Sequence, residues 1–387
     1  MYILNVTRET VGDARYGIRK SLEPVVGELK KQGHRVEIFD QQKANDAPSG
    51  KFVLWLEKIY LSVIYLRFGE NSELARHIFT ERMAIGRKAA GYASKKGVTH
   101  VHCHDPLLAY AYQFFSRFYG STKCIGYKAT AFGRFVKPRL GINIDEKSLS
   151  VLQKLEAQAE SKARWVFLTT NSGMKQMQQD LGKEKFPKHW HLVPNPVIVA
   201  QPNRSVSRKK LGIADNEKLL VAAGQLIPMK RFDLLLQSVA LIPGNIRPRI
   251  IILGDGPEKV SLYELAKKSG IHNFEIRVAN AMDEYYAAAD LYVSTSSTES
   301  FGMANCEALL AGLPSVCTKV DAVPELLKDG AMLTGDDPQE IATAIQKILT
   351  DNSMRENLKR KALMVTSGWA TREQIANKIE EILDQCK

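Results

Sequence analysis

Short apolar runs alternate along this chain with stretches of helical period. MYILNV (1–6), RVEIFD (35–40), VTHVHC (98–103), KCIGYK (123–128) and RWVFLTT (164–170) read as buried strands separated by helices. The pattern breaks at VPNPVIVAQPNRS (193–205), a Pro- and Asn-rich stretch that reads as a linker. It restarts with KLLVAAG (218–224), PRIIILGDG (248–256), NFEIRVAN (273–280), ADLYVSTSS (289–297) and LPSVCT (313–318), again alternating with helices, and is helical throughout from 338. Strand–helix alternation implies parallel strands with helices on both faces. The expected fold is therefore α/β: two Rossmann-like doubly wound domains, 1–195 and 196–369, facing a deep cleft. Ligands in such a fold bind at the carboxyl ends of the strands.

Composition adds little to this, but charge changes the picture. The net charge of +12 is carried by one half: residues 1–200 hold 31 Lys+Arg against 18 Asp+Glu, whereas the rest holds 23 against 24. A basic domain points to an anionic partner such as nucleic acid, phospholipid headgroups or a phosphorylated substrate, and on charge alone a merely solvated basic surface fits as well. No helix-turn-helix, zinc or ribonucleoprotein motif accompanies it, so nucleic acid is not an expected partner. The first strand is not followed by G-x-G-x-x-G, which argues against a dinucleotide oxidoreductase. The five scattered cysteines form no C-x-x-C pair, so free thiols in a reducing compartment are expected rather than a disulfide scaffold or zinc site. Charge appears within ten residues of Met1, unlike a secretion signal. The most apolar segment, KFVLWLEKIYLSVIYLRF (51–68), is interrupted by Lys51, Glu57, Lys58 and Arg67 and is too short to span a bilayer. Two readings fit it: a membrane-docking surface in a basic domain, or a core helix. For Trp55 itself, packing beneath the sheet is the expectation.

Candidate chemistry concentrates in TSSTESFGMANCEALLAGLPSV (295–316). An alternating strand runs into the turn TESFG and then a helix closed by Gly312 and Pro314. The helix start offers unpaired N–H groups and a positive dipole end to an anion. Glu307 lies one turn into the helix, and helical side chains lean back towards the start. Glu299 faces the same turn from the loop. Two acceptor-only carboxylates beside an anion site suit a polyhydroxyl ligand carrying phosphate. AGQLIPMKRFDLLL places Lys230 and Arg231 after another strand end, and ILGDGPE ends a third.

These segments, with EYYAAADLYVSTS and VDAVPELLKDG, resemble the donor-binding domain of retaining family-four glycosyltransferases with the GT-B fold, whose E-x7-E motif matches Glu299 and Glu307. The first half resembles the family in organisation, through GHRVEIFD, HVHCHDPLLA and VPNPV. The resemblance implies that Glu299 and Lys230 are catalytic, Glu299 on the donor sugar and Lys230 on the departing diphosphate. It implies that Glu307 binds ribose, with Ser300, Phe301, Gly302, Met303, Gly224, Gln225, Arg231 and Gly254 completing the donor site. Gly17, His104, Lys128 and Arg134 are assigned to the acceptor or phosphate side, and the last helix, about 370–387, to crossing back onto the first domain. No metal or other cofactor is implied; the chain contains no D-x-D. The implied activity is transfer of a hexose-type sugar, from a UDP-sugar in preference to GDP-mannose, to a glycan or lipid-linked acceptor of a bacterial surface polysaccharide such as lipopolysaccharide. A nucleotide-sugar hydrolase or epimerase on the same fold and a non-enzymatic binder of anionic polymers are the alternatives. The expected location is cytoplasmic, at the inner face of the cytoplasmic membrane. Three positions depart from the family pattern: Gln225 stands where arginine is usual, the loop TRETVGDARYGI lacks Gly-Gly, and GYKATAFGRF lacks the usual histidine.

Overall fold

The structure, a computed structural model, describes residues 1–9, 18–47, 50–129, 144–279 and 282–386. The chain divides into two compact units, the described residues up to Pro196 together with those from Thr371 onward, and Val197–Ala370.

In the first unit the strands are β1 (Tyr2–Val6), β2 (Arg35–Phe39), β3 (His100–Cys103), β4 (Ile125–Lys128), β5 (Trp165–Leu168) and β6 (Trp190–Leu192). They form one parallel sheet in the order β2-β1-β3-β4-β5-β6. The helices are α1 (Ile18–Lys31), α2 (Gln41–Asp46), α3 (Lys51–Tyr65), α4 (Glu73–Lys96), α5 (Pro106–Tyr119), α6 (Glu146–Lys162) and α7 (Asn171–Asp180). Because strand side chains alternate between faces, β1 feeds two cores. Leu4 and Val6 pack with α4 and α5 residues such as Phe79, Met83 and Phe115, whereas Ile3 packs with Leu22, Val25 and Leu29 of α1. Helix α5 starts where Pro106 fixes the first turn and the Asp105 carboxylate accepts from the Leu107 and Leu108 amides at 2.7 and 3.2 Å.

The second unit repeats the logic. After α8 (Arg204–Leu211) come β7 (Leu219–Ala223), α9 (Phe232–Ala240), β8 (Arg249–Leu253), α10 (Lys259–Lys268), β9 (Phe274–Arg277), α11 (Met282–Ala288), β10 (Leu291–Ser294), α12 (Met303–Leu310), β11 (Ser315–Thr318), α13 (Val323–Leu327), β12 (Met332–Thr334), α14 (Pro338–Thr350) and α15 (Asn352–Ser367). Its parallel sheet runs β12-β11-β10-β7-β8-β9, the reversal of order falling beside β7 and β10. Leu220 and Ala222 of β7 join one core and Leu219, Val221 and Ala223 the other.

The last helix, α16 (Arg372–Asp384), belongs to the first unit. A reciprocal Thr371/Gln374 capping box starts it. Its Ile375, Ile382 and Leu383 pack with Leu22, Val25 and Leu29 of α1. His34, just before β2, lies between the amino terminus at 3.2 Å and Glu380 of this helix at 2.7 Å. Trp369, just before α16, packs against the core of the second unit.

Two expectations are corrected. Cys124 and Cys386 are joined as a disulfide across 262 residues, so only Cys103, Cys306 and Cys317 are buried free thiols. Trp55 is not beneath the sheet but 55% exposed. No helix among the described residues is long and apolar enough to cross a membrane.

One buried acid of the first unit makes stability depend on pH. Burial, with Asp105 and Asp180 adding to it, pushes the Glu156 carboxyl of α6 up to about 8. The folded chain therefore keeps this proton to about pH 8, while the unfolded chain releases it near the ordinary value of ~4.3. Stability from this group is complete below that value and falls as pH rises towards 8, by about 1.4 kcal/mol per pH unit. Glu156→Gln is expected to flatten this slope in urea unfolding between pH 5 and 8; a slope identical to that of the unaltered chain would refute it.

Candidate active site

Three strand ends of the second sheet supply the site. Strand β7 ends at Ala223, and the chain turns through Gly224 and Gln225 into a single 3₁₀ turn, Pro228–Lys230. Two glycines make this turn possible. A Cβ on Gly254, at the end of β8, would lie 1.9 Å from the Gly224 carbonyl oxygen, so no side chain fits there. A Cβ on Gly224 would meet the Lys230 side chain at 3.2 Å, so the bare backbone lets the lysine stem lie across it. Gly254 thus acts on the turn that carries Lys230.

Arg231 follows in the left-handed region at φ 48°, an uncommon conformation for a non-glycine residue. Hydrogen bonds from the β10 end hold it: Thr295 Oγ1 donates to the Arg231 carbonyl at 2.7 Å, and the Ser297 amide to the Met229 carbonyl at 2.8 Å. The Arg231 side chain turns to Asp233 at 3.3 Å and is partly exposed.

The two turns meet in a salt bridge. Lys230 Nζ pairs with Glu299 Oε1, which also accepts from Ser296 Oγ at 2.9 Å. The backbone under Glu299 is fixed from a third loop, where Asp321 Oδ2 accepts from the Glu299 amide at 3.0 Å and from the Thr298 hydroxyl. Glu299 is 7% exposed.

Gly302, at φ 71°, caps the start of α12 in the left-handed conformation that only glycine adopts without cost. Phe301 turns inward into the core, Ser300 is exposed, and Met303 begins the helix half-buried. Glu307, 3% exposed, accepts from the Tyr286 hydroxyl of α11 at 3.0 Å. Burial, with the Glu307 charge beside it, holds that phenol well above its ordinary range, so it stays a donor. Tyr292 of β10 donates to Asn305 Oδ1 at 2.9 Å, and Asn305 Nδ2 is buried without a partner among the described residues.

The structure thus brings Gly224, Lys230, Glu299 and Gly254 together, and Gly302, Met303 and Glu307 onto one helix turn. Ser296, Thr298, Tyr286, Asn305 and Asp321 support them and were missed in the sequence. VDAVPELLKDG was the available signal for Asp321, but only folding brings it to Glu299.

Of the residues assigned to the acceptor side, His104 and Lys128 are described and lie in the first unit. His104 Nε2 meets Asn5 Oδ1 at 3.2 Å, and Lys128 donates to Asn195 Oδ1. All four line one small cavity at the carboxyl ends of β1, β3 and β4. Burial lowers Lys128 to about 8 and keeps the His104 imidazole neutral. Gly17 and Arg134 lie outside the described residues.

Two parallel doubly wound units that superpose over the whole chain on solved glycosyltransferases give the GT-B fold. The model of the family "Glycosyl transferases group 1" matches residues 203–364. The second unit is thus similar to this family, and the fold of the whole chain is that of GT-B glycosyltransferases. Lipopolysaccharide core biosynthesis glycosyltransferase LpsE of Rhizobium meliloti is 30% identical over 185 residues, 46% of this chain and 53% of that protein. The chain spans about half the length of the curated relatives it matches. Among solved structures, sucrose-phosphate synthase from Thermosynechococcus elongatus superposes with a TM-score of 0.78 at 16% identity, covering 100% of this chain and 99% of that one. Anabaena HepE in complex with UDP-glucose gives 0.73 at 18% identity, covering 100% of both.

Proposed function

We propose that this chain transfers a hexose-type sugar, with retention of anomeric configuration, from a UDP-sugar to a glycan or lipid-linked acceptor in bacterial surface polysaccharide synthesis. The observation that carries the reading is the Lys230–Glu299 pair held between two strand ends in the same unit as the buried Glu307. In this scheme Glu307 accepts from ribose hydroxyls and Glu299 from the sugar, while the amides at the start of α12 receive the diphosphate. Lys230 supplies positive charge where the leaving phosphate gains negative charge, a task for which other transferases use a metal. Retention follows if the departing phosphate deprotonates the incoming hydroxyl on the same face.

LpsE is named for lipopolysaccharide core biosynthesis and HepE was solved with UDP-glucose, and both support the choice of donor and pathway. The basic first half supports acceptor recognition at an anionic membrane. Thermal-shift screening against UDP- and GDP-sugars tests the reading. A rise in melting temperature with UDP-sugars is expected; a response to GDP-sugars alone would replace the donor, and no response to either would remove the function. Product analysis with and without acceptor separates transfer from hydrolysis or epimerisation.

A further inference from the structure

Helix α3 turns its most apolar side to solvent. Phe52, Trp55, Ile59, Val63 and Leu66 are all exposed, Leu66 by 82%. At 100° per residue they fall within an arc of about 80°. The opposite side is locked to the body of the first unit. Val53 and Ile64 are buried, Glu57 accepts from Arg87 Nε at 2.5 Å, and the Tyr60 and Tyr110 hydroxyls meet at 2.6 Å. Turning the apolar side inward would expose these groups and break a buried ion pair, so the stripe is a fixed outer surface.

Its charge is one-sided. Glu57 is the only acid between Lys51 and Arg67, and its charge is spent on Arg87. Lys51 and Lys58 flank the stripe on one side and Arg67 on the other, all exposed. The patch continues onto α5. On α5 the Arg117 guanidinium lies over Phe114, whose ring packs tilted against Tyr60 of α3 at 4.6 Å, and over the exposed Phe118, at 4.9 and 5.8 Å. An apolar stripe bordered by cations matches an anionic bilayer surface, where aromatic rings enter the headgroup region and long cations reach phosphates. A second copy of the chain fits poorly, because this face would bring together two halves of net +13 each, from 31 Lys+Arg against 18 Asp+Glu.

We propose that α3 docks the chain on anionic membrane, the Phe52–Leu66 stripe lying in the headgroup boundary parallel to the surface. The inference deepens the proposed function by giving its membrane partner a contact element, and rests on it only for the lipid-linked acceptor. The test uses the full chain and vesicles of phosphatidylcholine with and without 30% phosphatidylglycerol. Binding to the anionic vesicles is expected, weakening as salt rises, with a blue shift of emission that is absent when Trp55 is replaced by serine; Trp165 and Trp190 are buried, and Trp369 is half-buried in the second unit. Phe52→Ser/Trp55→Ser/Leu66→Ser is expected to lose at least about tenfold in partitioning. Lys51→Gln/Lys58→Gln/Arg67→Gln should lose the preference for anionic lipid. Vesicle binding by the serine variant equal to that of the native chain overturns the proposal. So does a native dimer that the serine variant dissolves while neither binds vesicles. The nucleotide thermal shift, read on the same samples, should be unchanged in both variants, so failure of docking is distinguishable from failure of the donor reading.

Discussion

Glu307→Gln is expected to weaken nucleotide binding by about 10- to 100-fold, while the fold survives. The carboxylate is buried, and Tyr286 donates to one of its oxygens. The proposed second function of that carboxylate is to accept from two vicinal ribose hydroxyls, and a hydrogen bond to a charged group contributes about 1.5–3 kcal/mol. Glutamine keeps the volume and one acceptor for Tyr286, but replaces the other oxygen by an amide that can only donate. Glu307→Ala removes both and leaves the Tyr286 hydroxyl buried and unpaired, costing a further ~1–3 kcal/mol of stability. Calorimetric titration with the nucleotide reads the affinity, and urea unfolding reads the stability. An unchanged dissociation constant for Glu307→Gln would show that the ribose lies elsewhere.

Lys230→Met is expected to lower kcat by about 10²- to 10³-fold, the range for removing one charge-stabilising donor from a transition state. The lysine is preset: its stem lies against the bare Gly224 backbone and its ammonium is held by Glu299. Methionine keeps the stem but not the charge. Glu299 then stands buried with Ser296 as its donor and with Asp321 close to its own amide. Stability falls as well, by less than the ~3–5 kcal/mol of a fully buried broken pair, because Lys230 keeps some solvent contact. Nucleotide release from the donor under saturating conditions gives kcat. A loss confined to KM would make Lys230 a binding group without a part in the chemistry.

Most strands and both sheets were legible because buried parallel strands leave contiguous apolar runs. The two missed strands, β6 and β12, have three residues each and lie at sheet edges, too short for a period. The site was legible where turn chemistry and strand ends coincide, as at Gly224, Gly302 and Glu307. Its support was not: Asp321 reaches Glu299 across 22 residues, and Cys124 reaches Cys386 across 262. Trp55 was misplaced because α3 is apolar nearly all round, so periodicity could not select its inner side. The buried Glu57–Arg87 pair selects it, and that pair spans 30 residues.

The return of α16 to the first unit has a consequence for biosynthesis. The apolar side of α1 is completed by Ile375, Ile382 and Leu383, which leave the ribosome only after all of Val197–Ala370. At ~5–20 residues per second, the stretch from Leu29 to Leu383 keeps that side uncovered for roughly 18–70 s. The unit that is synthesised first is therefore finished last, and for that interval it is the part of the chain most in need of a chaperone.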